Sequence, residues 1–219
     1  GRMLIEGEDI CKDEKEGLIY IKKASDQGDA KSLYYYSTLI EQDDKKSIEY
    51  LKSSAYEGYT EAMYQFAIKH SKEPEYREES ILFLKKAGDK GHIESLYQYA
   101  LFLSNNEDEE SKKKVLKYYK IAANNGIISA INNYAVCLFK GRGIESDKEE
   151  AVRYLKMASD EGEVNAMSNY GYCLLNGEGI EKNTKEAVKY LELSIENNSL
   201  KILLNRKDIN VNDKTCHTL

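Results

Sequence analysis

The sequence predicts an all-α fold of stacked αα-hairpins, and three observations predict it. A marker residue recurs along the chain at Gly28, Gly58, Gly91, Gly126, Gly162 and Asn198, separated by 30, 33, 35, 36 and 36 residues. An aromatic stands eight residues before each marker: Tyr20, Tyr50, Phe83, Tyr118, Tyr154 and Tyr190. The chain of 219 residues contains a single Pro, so its helices run uninterrupted. A fixed period of this length belongs to repeat architectures, in which each unit is one supersecondary element that buries its apolar face only against its neighbours.

The segment before each marker, helix B, carries an aliphatic at offset −10 (Leu18, Ile48, Ile81, Leu116, Val152, Val188) and a small residue at −4 (Ala24, Ser54, Ala87, Ala122, Ala158, Ser194). With −7 between them these offsets form one helical stripe, small where a neighbouring helix must come close. A left-handed C′ residue ends each helix B, cheapest as Gly, with Asn198 as the second choice. Helix A follows, its core face at offsets +4, +5, +8, +9 and +12, including Leu33, Met63, Leu96, Ile131 and Met167 at +5 and Tyr36, Phe66, Tyr99, Tyr134 and Tyr170 at +8. Helix A leads to helix B through Gly141-Arg142-Gly143-Ile144 and Gly177-Glu178-Gly179-Ile180, where Asp147 and Asn183 are the expected N-caps and Glu150 and Glu186 their reciprocal partners. Earlier units use shorter, charge-rich connections such as Glu41-Gln42-Asp43-Asp44.

Composition excludes several function classes. A net charge of −6 and a pI near 5.3 have the wrong sign for a protein that neutralises nucleic-acid phosphates. No apolar run approaches the ~20 residues that span a bilayer, and the opening GRMLIEGEDI lacks a secretory h-region, so no membrane insertion is expected. Cys11, Cys137, Cys173 and Cys216 do not make a disulfide scaffold and read as reduced thiols, two of them in the core.

No catalytic, metal or cofactor constellation emerges. His70, His92 and His217 share no helix face. The G-x-G pairs lack the preceding strand and the further Gly or Lys-Ser/Thr of a phosphate loop. Cys137 and Cys173 share offset +11 in adjacent repeats, where helix spacing of ~8 to 10 Å exceeds the reach of a disulfide. The ending Cys216-His217-Thr218-Leu219 has only the cysteine spacing of a prenylation signal, and Asn197-Asn198-Ser199 is a formal sequon coinciding with a helix end.

The stretches GIISAINNYAVCLFKGRGIESDKEEAVRYLKMASDEG and GEVNAMSNYGYCLLNGEGIEKNTKEAVKYLELSIENN resemble the Sel1-like repeat family, relatives of the tetratricopeptide repeat. The likeness is specific for 126 to 197 and looser for 28 to 125, where the doubled glycine is missing. It implies a solenoid wound as a right-handed superhelix over residues 1–205: a partial repeat 1–27, repeats 28–57, 58–90, 91–125, 126–161 and 162–197, and a capping helix 198–205, with a polar tail 206–219. Some bacterial members lock each hairpin with a cysteine pair; Ala158, Ser159 and Met167 stand at the equivalent places here. The start of the chain aligns without a gap onto 171–198, so that Gly1 matches Gly171 and the chain is expected to begin inside a hairpin of a longer protein.

In such folds helix A lines the concave face, so its wall at +3, +6, +7, +10 and +13 would face a partner. The residues singled out are Tyr34, Tyr64, Tyr97 and Asn132 at +6, Gln98, Asn133 and Asn169 at +7, and Ile68, Leu101, Val136 and Tyr172 at +10. Rings offer buried area and amides hydrogen-bond an extended backbone; the competing reading packs the +6 and +7 columns against the next helix A. The expected function is a non-catalytic scaffold for a protein or peptide partner, or for a domain upstream in the same polypeptide. The alternatives are a hydrolase of the kind claimed for cysteine-rich relatives, or self-association. A cytoplasmic setting is expected, with the endoplasmic reticulum lumen or another secretory compartment as alternative.

Overall fold

A Cβ-free residue adopts left-handed geometry at least cost, and the five marker glycines do so: Gly28, Gly58, Gly91, Gly126 and Gly162 have φ of +82°, +91°, +90°, +86° and +89°. The residue after each marker then donates its N–H to the carbonyl at offset −4, as Asp29 does to Ala24 at 3.1 Å and Glu163 to Ala158 at 2.9 Å, closing the last turn of helix B. The computed structural model describes residues 1–6, 13–40 and 44–212, with backbone alone at Leu4, Asp44 and 199–212. The connection Glu41-Gln42-Asp43, Cys11 and Cys216 lie outside the described residues.

Helices are the only regular elements among the described residues. A short α1 (Arg2–Glu6) precedes five helices A, which are α3 (Ala30–Leu39), α5 (Thr60–His70), α7 (Ile93–Leu103), α9 (Ile128–Lys140) and α11 (Val164–Asn176). They alternate with helices B: α2 (Glu14–Asp26), α4 (Asp44–Tyr56), α6 (Arg77–Asp89), α8 (Glu109–Asn124), α10 (Lys148–Asp160) and α12 (Thr184–Asn212). The helices gather into two compact units, Gly1–Phe102 and Leu103–Leu219. In the first, Leu51, Ala55, Ala62, Met63, Phe66, Phe83 and Ala87 form one buried cluster; in the second, Ala135, Val152, Leu155, Tyr170, Cys173, Leu174 and Ala187 form another.

The two aromatic columns meet inside four of the hairpins. The ring at +8 of helix A stands edge-on to the ring at −8 of the following helix B: Tyr36 on Tyr50 at 4.8 Å, Phe66 on Phe83 at 5.4 Å, Tyr134 on Tyr154 at 5.1 Å and Tyr170 on Tyr190 at 4.8 Å. Edge-to-face pairs of this kind are worth about 0.5–1.5 kcal/mol beyond the area they bury, so the columns clamp the hairpin. The small −4 column also does more than admit a neighbour where it is Ser. Ser54 Oγ donates to the Ala30 carbonyl at 2.5 Å and Ser194 Oγ to the Val164 carbonyl at 3.2 Å, tying helix B to the first turn of the preceding helix A. Gly1 approaches α2 at Gly17 and Ile21 as Gly171 approaches α12 at Ala187 and Leu191, so the two glycines are structural equivalents.

Four expectations are corrected. Asn198 does not end a helix: α12 runs through it to Asn212, so no separate capping helix begins at 198 and the sequon at Asn197 lies within a helix. The tail expected from 206 is likewise helical as far as 212. Asp147 and Asn183 cap their helices, accepting from the N–H of Glu150 at 2.9 Å and Glu186 at 3.1 Å, but the reciprocal bond is absent. The cap residues instead donate their own N–H to the carbonyls of Leu138 and Leu174 on helix A, leaving Glu150 to Arg153 and Glu186 to the Asn183 side chain. Finally, the −10 column is buried at Val152, 4% exposed, but open at Leu18 and Val188, 39% and 44% exposed, because the outermost helices B have a described hairpin on one side only.

Candidate functional site

The helix A wall divides by column. At +6, the next hairpin leans over the ring: Tyr34 lies 5.3 Å from Tyr59 and Tyr64 5.0 Å from His92, both partners standing one residue after a marker. Tyr34 and Tyr64 are accordingly half-buried at the seam between hairpins, and Tyr97 is half-buried as well. Burial, reinforced by Glu94 and Glu61, raises the phenol pKa of Tyr64. Asn132, in the same column, departs from the expected exposure: it is 5% exposed and accepts a hydrogen bond from Asn169 Nδ2 at 3.0 Å while donating to Asn133 Oδ1 at 3.2 Å. An amide held between two others is part of the framework, since a buried amide left unpaired is costly.

The columns at +7 and +10 carry the open part of the wall. Thr38, Ile68 and Tyr172 are exposed, while Gln98, Leu101, Asn133, Val136 and Asn169 are half-buried. Two notches open there at matching offsets. In the second unit a pocket of about 200 Å³ lies between α9 and α11 with Leu155 of α10 as its floor; Val136, Phe139, Lys140, Asn169, Tyr172 and Cys173 complete it. In the first unit a pocket of about 160 Å³ lies between α3 and α5 over Leu51, with Tyr34, Ser37, Thr38, Ser47, Gln65 and Lys69 around it. Leu51 and Leu155 share offset −7, Thr38 and Val136 share +10, Gln65 and Asn169 share +7, and Lys69 and Cys173 share +11. The same notch is therefore built twice, polar in the first unit and apolar in the second. Three of the expected residues, Val136, Asn169 and Tyr172, meet in the apolar one. Phe139, at +13 of the expected wall, and Lys140, Leu155 and Cys173 complete it without having been singled out.

The Cys137 and Cys173 thiols are free and buried. Burial, with Glu178 adding to it, pushes the Cys173 thiol up to about 11, and burial also raises Cys137. A folded value above the unfolded one favours the neutral thiol, so its contribution to stability is complete below the unfolded pKa and is lost as pH climbs through about 11. Iodoacetamide at pH 8, followed by mass mapping of the peptide that contains Cys173, is expected to label the native chain about a hundredfold more slowly than the denatured chain. Equal rates would show the thiol to be open.

His70 contacts Glu73 Oε1 at 2.8 Å and His92 contacts Ser95 Oγ at 2.9 Å. No group of three or more His, Cys, Asp or Glu that could hold a metal occurs among the described residues, and no helix among them is long and apolar enough to cross a membrane.

The Sel1 repeat family matches residues 1–29, 128–163 and 164–199, and plant tetratrico peptide repeats match 42–140. No curated protein matches the chain. Among solved structures, c5321, a protective antigen of uropathogenic Escherichia coli displaying an SLR fold, superimposes with a TM-score of 0.72 at 21% identity, over 91% of this chain and 47% of that one. The chain thus spans about half the length of that protein. A Sel1 repeat protein from Oxalobacter formigenes gives 0.63 at 20% identity, over 88% of this chain and 81% of that one. YrrB, a TPR protein with an unusual peptide-binding site, gives 0.55 at 18% identity, over 80% and 91% respectively. These likenesses are of fold: Sel1 repeats toward both ends of the chain, plant tetratrico peptide repeats between them and the helical hairpins give it the SLR-type, tetratricopeptide-like helical-repeat fold.

Proposed function

We propose that the chain is a non-catalytic scaffold that holds a segment of a protein partner along the helix A wall. The observation that carries this reading is the duplicated notch: the same offsets on helix A and helix B open a recess in each unit, so a preformed surface repeats in register with the hairpins. A surface that is already ordered leaves only the partner's ordering cost to be met by binding. The unusual peptide-binding site named for the structurally similar YrrB lends the reading support at the level of fold.

Panning a random peptide library on the immobilised chain tests it. Peptides selected by the native chain are expected to lose binding at least tenfold when Tyr64, Tyr97 and Leu101 are all replaced by Ala, with helicity by circular dichroism retained. A control with Lys85 and Lys86 replaced by Ala on the exposed face of α6 should bind normally. Selected peptides that bind the triple variant unchanged would remove the α5 and α7 part of the wall from consideration. Turnover of esters or β-lactams abolished by one Ser replacement would move the chain to the hydrolase class.

A further inference from the structure

We infer that the α9/α11 pocket receives a single aromatic side chain of a protein partner, with an acidic residue beside it in the partner's sequence; this rests on the scaffold reading and specifies it. Size comes first. An apolar cavity of about 150 Å³ already accommodates a benzene ring, so the pocket of about 200 Å³ holds one ring and little more. Ligand sites for drug-sized molecules and cofactors run from about 300 Å³ upward.

The lining sets the chemistry. Val136, Phe139, Leu155 and Tyr172 supply apolar walls, and the buried Cys173 behaves there as a small hydrophobe because its raised pKa keeps it neutral. Two polar groups remain at the edge. Asn169 spends its Nδ2 on Asn132, and its Oδ1 receives no donor among the described residues, which suits the backbone N–H of an extended segment. Lys140 is exposed and forms no ion pair with a carboxylate among the described residues. Its neighbour Lys148 is already engaged, with Nζ 2.7 Å from Glu178 and 5.0 Å above the Phe139 ring. The free charge at the mouth is therefore positive, although the chain as a whole carries −6. A carboxylate next to the inserted ring answers it. The equivalent notch in the first unit, walled by Ser37, Thr38, Ser47 and Gln65, offers no such apolar seat, so the two recesses read different residues of a partner.

The test uses the full chain, labelled with nitrogen-15, and two tetrapeptides, acetyl-Gly-Phe-Asp-Gly-amide and acetyl-Gly-Phe-Asn-Gly-amide. Both are expected to shift the amide signals of Val136, Phe139, Asn169 and Tyr172. The acidic peptide should bind about two- to fivefold more tightly, the range of an exposed ion pair. Lys140→Gln should erase that preference while leaving the neutral peptide unaffected. Val136→Phe, which fills the recess, should abolish both; Thr38→Phe in the polar notch should abolish neither. Shifts that miss these residues, or a preference that survives Lys140→Gln, would overturn the inference. It also falls if free 3-phenylpropionate binds as tightly as the acidic peptide, for the ligand is then a small acid. Concentration-dependent sedimentation abolished by Val136→Phe would assign the pocket to a second copy of the chain instead. The library test probes α5 and α7 in the other unit, so the scaffold reading and this one can fail separately.

Discussion

Gly179→Ala is expected to unfold the second half of the chain under conditions that leave the native protein intact. Gly179 has φ of +68°, and a Cβ there would lie 2.3 Å from the Lys148 carbonyl oxygen and 2.5 Å from its carbon, both backbone atoms in the first turn of α10. Left-handed geometry costs a non-glycine residue about 1–2 kcal/mol, and forcing packed backbone apart adds about 1–3 kcal/mol. Nothing flexible can yield to the methyl group, so the two costs sum to about 3 kcal/mol or more, a fall in Tm on the order of 10 °C. Gly143 repeats the arrangement one hairpin earlier, with φ of +78° and a Cβ position 2.6 Å from the Lys112 carbonyl oxygen of α8. Gly162 is the control: its φ is +89°, but a Cβ would meet nothing within 4 Å. Gly162→Ala should therefore show the conformational cost alone, about 1–2 kcal/mol. Thermal melts of the three variants decide the matter, and a Gly179→Ala melt no lower than that of Gly162→Ala would refute the close-approach argument. The doubled glycine thereby gains a division of labour. Gly141 and Gly177 terminate helix A in left-handed geometry, while Gly143 and Gly179 let the loop lie against the preceding helix B.

Much of this was legible because a period converts local chemistry into architecture. The spacing of Gly28 to Gly162 gave both helix ends and hairpin count, since a left-handed stop recurring in phase has few other causes. The aromatic columns were visible too, but their pairing, such as Tyr170 on Tyr190, needs the hairpin closed before it can be seen. Asn198 misled for a physical reason. Asn tolerates left-handed geometry but does not require it, and without a Cβ-free residue or a Pro the helix continued through Ser199 and Leu200. Asn132 misled because its column lies on a seam. Whether a +6 side chain faces outward depends on what the next hairpin presents, here the Asn169 amide. The pocket itself brings together residues from three helices, and no spacing along one helix reveals it. Its contents were nonetheless written at fixed offsets: Val136 in place of Thr38, and Cys173 in place of Lys69, turn the polar notch into the apolar one.

Phe66→Ala should have the corresponding effect in the first unit. The Phe66 ring is fully buried and meets Phe83 at 5.4 Å, Tyr76 at 5.6 Å and His70 at 5.1 Å, so it joins both arms of the α5–α6 hairpin and the turn between them. Truncating such a ring removes its transfer free energy and leaves a cavity, a loss of about 3–5 kcal/mol. Phe66→Leu, which refills most of the volume, should recover well over half of that. The distribution of the damage is as informative as its size. In a repeat array each unit is stabilised by itself and its immediate neighbours, so a lesion spreads only as far as the interfaces it breaks. Hydrogen exchange of Phe66→Ala is therefore expected to show protection lost in α4, α5 and α6, while α10 and α11, which share no buried cluster with Phe66, keep native protection. Gly179→Ala should give the mirror result, with α10 and α11 opening and α5 closed. If either variant instead lowered protection uniformly from α3 to α11, the two buried clusters would have to be counted as one cooperative core, and the binding surfaces on the two units would be coupled rather than independent.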